Sequence, residues 1–163
     1  MSVLEAQQLA GARLAAVKRH PLAVIPPETS SQSDLHRNLI AGLIARGAWT
    51  AQWRHQVIAC IARTLGSSYG PDGSDELYVP GLRPDAYRID TWDDDGYPQI
   101  KITVWEVEIS NPISPPKLRQ YANLWGDLDG IDTTPELELR TVDRHGVERL
   151  IDLSAEFDAP TVA

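Results

Sequence analysis

The chain has a single cysteine, Cys60, in 163 residues. One thiol excludes an internal disulfide framework and any zinc site built from several cysteines. No stretch of 18 uninterrupted apolar residues occurs, so no membrane-spanning helix is expected. A charged segment followed by a long apolar run is missing from the start, and a soluble, reducing, cytoplasmic location is the expectation. Repeats, low-complexity segments, a Gly-rich phosphate loop of the Walker type and a G-x-S-x-G elbow are also lacking. Positive charge is scarce: 15 Lys and Arg face 23 Asp and Glu, for a net charge of −8. Nucleic-acid binders that ignore sequence owe their affinity to a basic footprint. A polyanionic partner would therefore have to meet a local basic patch, or metal ions, rather than the surface as a whole.

What is present suits one domain, since 42% hydrophobic residues supply a real core. The expected division is an N-terminal helix and linker over 1–33, a domain over 34–157 and a tail over 158–163. Residues 3–19 carry a weakly amphipathic helical pattern, and the prolines and hydroxyl residues of 20–33 make a connector. Ser33 or Asp34 can cap a helix with Leu35, Leu39, Ile40, Leu43 and Ile44 on one stripe, stopped by Gly47. Thr50 can cap a second helix, with Trp53, Val57, Ile58, Ile61 and Leu65 at helical spacing, that ends at Gly66. The two are expected to pack as a helical pair. The period then falls to about 2. Strands are expected at 76–79, 82–91 and 98–109, the last two joined by a hairpin at the Asp-Gly of "WDDDGYP". Ser114 can cap another helix from about Pro115. "ELELRTV", a turn at "DRHG" and "VERLIDL" read as a closing hairpin.

Alternate residues of a strand share a face. Along "QIKITVWEVEI" the row Ile100, Ile102, Val104 therefore runs into Glu106 and Glu108, and the opposite row holds Lys101, Thr103, Trp105, Val107 and Ile109. An unpartnered buried carboxylate costs several kcal/mol, so a metal ion or an arginine must answer these acids. Antiparallel pairing through the "WDDDG" hairpin would bring Asp85 beside Glu106. Three carboxylates converging there, Asp85, Glu106 and Glu108, would form a hard-oxygen site for Mg²⁺ or Mn²⁺.

"RPD" at 83–85, a spacer, then "EVE" at 106–108 ahead of a helix resembles the PD-(D/E)XK nuclease superfamily. The resemblance covers about two thirds of the chain. It implies a mixed α/β, restriction-endonuclease-like core ordered helix, three strands, helix, strand, and a metal-dependent hydrolysis of phosphodiesters, in DNA above all. By position it makes Asp85 and Glu106 metal ligands, joined by the Val107 carbonyl. Glu108 stands where the family has lysine; in this E-x-E variant it would be a general base or a ligand to a second metal. Lys117 is the candidate for a relocated lysine, and Tyr121 lies one turn further along the same helical face. Relatives supply an acid from the helix before the sheet; residues 50–66 hold none, leaving His55 or Gln56 to stand in. Arg83, Arg88, Lys117 and Arg119 are candidates to hold flanking phosphates, with Tyr121 as a further substrate contact. His20, His36 and His145 have no spacing that suggests a metal set, and Cys60 and most of the five tryptophans read as packing residues. A dimer or a larger complex is a possible working form. The competing function is a nuclease-like module without catalysis that serves as a binding or structural subunit.

Overall fold

A computed structural model describes residues 22–24, 31–65, 82–129 and 135–158. In chain order the elements are α1 (Ser31–Ala45), α2 (Trp53–Leu65), β1 (Ala86–Asp94), β2 (Tyr97–Glu108), α3 (Pro115–Asp129), β3 (Pro135–Asp143), β4 (Glu148–Ile151) and α4 (Leu153–Asp158). The helix expected at 3–19 and the strand expected at 76–79 lie outside the described residues. The fold is mixed α/β. Its sheet has the order β1-β2-β3-β4, with β1/β2 and β3/β4 antiparallel and β2/β3 parallel. A parallel pair needs a long crossover, and α3 supplies it.

Local chemistry fixes the strand ends. Asp95 and Gly96 both have positive φ, 50° and 87°, and form the two-residue turn that sets Asp94 opposite Tyr97. β1 starts at Ala86, four residues later than expected, because Pro84 has no N–H to give a ladder. Asp143 closes the second hairpin: its Oδ1 accepts the N–H groups of His145, at 2.8 Å, and Val147, at 3.0 Å. The strand expected over "VERLIDL" ends at Ile151. Asp152 then caps α4, accepting from the N–H groups of Ser154 and Ala155.

Helices cover both faces of the sheet. Ile100, Ile102 and Val104 of β2, with Tyr87, Ile89, Leu137 and Leu139 beside them, bury against Trp53, Val57 and Ile61 of α2 and Tyr121, Leu124 and Leu128 of α3. Behind them, Trp105 and Val107 meet Leu39, Ile40, Leu43 and Ile44 of α1. The expected helical pair is therefore corrected: α1 and α2 lie against opposite faces. Their connector passes around the edge of β1, where Trp49 and Tyr87 exchange both backbone hydrogen bonds at 2.7 and 2.8 Å. Thr50 is not the cap of α2. Its hydroxyl bonds the backbone of Val24 on both sides, accepting at 2.9 Å and donating at 3.2 Å. Cys60 is in the core, as expected. Among the described residues no helix is long and apolar enough to cross a membrane.

α1 begins at Ser31, ahead of the expected cap, so that Asp34 falls in its first turn and pairs with Arg37 at 3.4 Å. It ends where Gly47 was expected to stop it. Gly47, at φ 100°, donates to the Ile44 carbonyl while Ala48 donates to that of Leu43, a Schellman closure that needs a left-handed residue. A Cβ there would also stand 2.8 Å from Nη1 of Arg88. Gly42, inside the same helix, faces open space. Opposite outcomes are expected from one substitution: Gly47→Ala should destabilise by about 1–2 kcal/mol, whereas Gly42→Ala should stabilise by about 0.5–1 kcal/mol. Urea unfolding midpoints of the two variants check both signs.

Candidate functional site

The site is assembled at the end of β2 by three separate pieces of chain. Glu106 continues the apolar row and is 5% exposed. α3 passes over it. Ser114 starts that helix, taking the N–H of Leu118 on its carbonyl and that of Lys117 on its hydroxyl. The spacing of four then puts Lys117 and Tyr121 one above the other. Lys117 Nζ stands 2.7 Å from Glu106 Oε1, and the Tyr121 hydroxyl donates to the same oxygen at 2.6 Å. Lys117 also donates to the Arg83 carbonyl at 3.3 Å.

β1 brings the second acid. Ala86 pairs with Trp105, so Asp85 comes alongside Glu106, and its Oδ2 accepts the N–H of Val107 at 2.7 Å. Its Oδ1 lies 3.5 Å from Nε2 of His36, on α1. Burial, then the charge of Asp85, pushes the Glu106 carboxyl up to about 7 from its usual 4.5, while Lys117 and Tyr121 pull it down. Burial and then the Glu106 charge push the Tyr121 phenol far upward, which keeps it a donor.

Four of the residues singled out in the sequence are thus brought together: Asp85, Glu106, Lys117 and Tyr121. Glu108 turns elsewhere and accepts the N–H of Ile113 at 3.4 Å. Among the described residues no three His, Cys, Asp or Glu side chains form a group that could hold a metal. The three-carboxylate convergence is therefore corrected to a pair. Tyr121 is fully buried, so it orients Glu106 rather than touching a substrate. Arg88 and Arg119 are both committed to the fold. Arg88 donates to the Gly47 carbonyl at 2.7 Å, pairs with Asp90 at 3.0 Å and lies over the Trp49 ring. Arg119 donates to the carbonyls of Glu156, at 2.9 Å, and Phe157, at 3.1 Å, at the end of α4. Arg83 is exposed. Gln56 bonds Gln52, and His55 is exposed at the start of α2.

His36 is the residue that sequence reasoning missed. It comes from α1 and not from the helix directly before the sheet, where a stand-in was sought. A signal was available: four residues before buried Ile40, it puts a polar group on the buried stripe of α1. Comparisons of the chain with protein-family models, with curated proteins and with solved structures found no match.

The raised Glu106 acid makes a testable sign. Because its folded-state value lies above the ordinary 4.5, its contribution to stability is fully present below about pH 4.5 and is lost as pH rises through about 7. Glu106→Gln has no such titration. With divalent ions removed by a chelator, wild-type minus variant stability from urea unfolding should fall between pH 4.5 and 7 and level off above; a flat difference would refute the assignment.

Proposed function

We propose that the chain is a divalent-metal-dependent nuclease, acting on DNA, with Asp85 and Glu106 as its metal-holding acids and Lys117 as its catalytic cation. The observation that carries the reading is the convergence of Lys117 on Glu106 at 2.7 Å, beside Asp85, at the end of the central strand. That is where the resemblance calls for an acid, an acid and a lysine, with the lysine supplied from α3. The order of hairpin, crossover helix, parallel strand and final antiparallel strand supports the restriction-endonuclease-like core.

The donor set fits a hard cation. Two acids face one another closely enough for the Asp85 charge to raise Glu106, a repulsion that a bound cation relieves. Mg²⁺ is commonly held by only one or two carboxylates, with waters and substrate phosphate completing its shell. Such an ion supplies an acidified water and positive charge for the phosphate oxygens. The residues of the chain do the rest. Tyr121 fixes the Glu106 carboxyl, the Val107 N–H fixes that of Asp85, and His36 stands against the outer oxygen of Asp85. The Lys117 side chain, 30% exposed, can turn its remaining protons toward a phosphate at the rim and bear charge that grows there.

The non-catalytic subunit has one observation in its favour: Lys117 already neutralises Glu106. Calorimetric titration of Mn²⁺, with plasmid and branched DNA cleavage on the same samples, separates the two. Wild type should bind the ion and cut, and Asp85→Ala/Glu106→Ala should do neither. Lys117→Ala should keep the ion and lose cleavage by about 10²-fold or more. A wild type that takes up no Mn²⁺ even at millimolar concentration would end the nuclease reading.

A further inference from the structure

The two acids of the site are held by helices on opposite faces of the sheet. α3 holds Glu106, through Lys117 and Tyr121. The hold on Asp85 comes from α1, and it is double. Leu39 and Leu43 of α1 cluster with Ala86, the residue next to Asp85, and with Val107, whose N–H bonds Asp85 Oδ2 at 2.7 Å. His36 of the same helix brings its Nε2 to 3.5 Å from the other oxygen, Oδ1.

Helical spacing puts His36 there. It precedes Leu39 by three residues and Ile40 by four, so it shares the stripe that packs on the sheet. An imidazole nitrogen that faces a carboxylate must carry a hydrogen, because two acceptors repel, so Nε2 is the protonated nitrogen of the ring. A separation of 3.5 Å is long for a hydrogen bond, and contacts at catalytic sites commonly tighten when substrate arrives.

The second torsion of an aspartate is soft, and a carboxylate free to turn has to be ordered by the ion it binds. With the Val107 N–H on one oxygen and His36 on the other, Asp85 is ordered beforehand. We propose that His36 is a positioning residue of the metal site, fixing Asp85 from α1 as Tyr121 fixes Glu106 from α3. It is not a third ligand: among the described residues no three His, Cys, Asp or Glu side chains are placed to hold one ion. The inference rests on the reading of Asp85 and Glu106 as the metal-holding acids.

The test is calorimetric titration of Mn²⁺ into wild type, His36→Ala and His36→Gln, with DNA cleavage measured on the same samples. Gln carries its side-chain nitrogen the same number of bonds from Cα as Nε2 of His, so it restores the donor without the ring. The His36 side chain is 39% exposed and Ala and Gln are good helix formers, so both variants should fold; circular dichroism and urea unfolding in EDTA check this. Removing a group that orients a metal ligand costs about 10–100-fold in affinity, so His36→Ala should bind Mn²⁺ about tenfold or more weakly at unchanged stoichiometry, with His36→Gln within about threefold of wild type. An alanine variant that binds as tightly as wild type would overturn the role. So would a glutamine variant as weak as the alanine one, which would mark the ring nitrogen itself as a ligand. The two readings fail separately. Wild type that binds and cuts, with His36→Ala binding equally tightly, keeps the nuclease and loses the positioning role. Wild type that binds Mn²⁺ but never cuts, with affinity lost in His36→Ala and recovered in His36→Gln, keeps the positioning role and loses the nuclease.

Discussion

A carboxylate held out of water at the end of β2 is the constraint around which this molecule is arranged. Glu106 continues the row that builds the main core, and in that position an ionised acid costs several kcal/mol unless it is answered. The answer comes from one helix, through one cation and one phenol four residues apart. That helix, α3, is also the crossover that makes β2 and β3 parallel and buries Leu124 and Leu128 against the sheet. Polar and apolar demands thus fix the same element. A shift of α3 by one turn would expose the leucines and at the same time leave the acid unanswered.

The basic residues are used with similar economy. Arg140 bridges Glu138, at 2.8 Å, and Glu148, at 3.1 Å; Lys101 reaches Glu138 at 3.7 Å, and Arg46 joins Glu148. This chain of charges ties β2, β3 and β4 to the end of α1. Exposed pairs are individually weak, about 0–1 kcal/mol each, but a shared network orders each side chain for several partners at once. With Arg88 and Arg119 also spent on backbone carbonyls, much of the chain's scarce positive charge is directed inward. Arg83 differs from these, since its side chain is exposed and it holds Lys117 through its backbone carbonyl.

Much of the site was legible because its geometry is short in sequence. Period 2 placed Glu106 on the apolar row of β2, the Asp-Gly turn set the register that carries Asp85 to it, and a spacing of four aligned Lys117 with Tyr121. Three of the residues that were read differently have distant partners. Arg88 finds an acceptor 41 positions away, Arg119 finds its acceptors 37 and 38 away, and Thr50 meets Val24 from 26 away. An apolar stripe says that a helix is buried but not against which surface. α1 and α2, similar in pattern, accordingly ended on opposite faces. Glu108 looked like Glu106 two residues on, but the row leaves the core between them, and a loop N–H takes it instead.

The crossing of the α1–α2 connector at Trp49 bears on how copies of this chain behave when crowded together. Strand edges are where sheets recruit further strands, through unsatisfied N–H and C=O groups that point outward. At Tyr87 both outward groups are already taken by Trp49, and the two rings stack edge to face 5.7 Å apart. A foreign strand growing along β1 would have to break both bonds and lift an indole. At this point the segment that carries the chain from one face of the sheet to the other also guards it against runaway self-association.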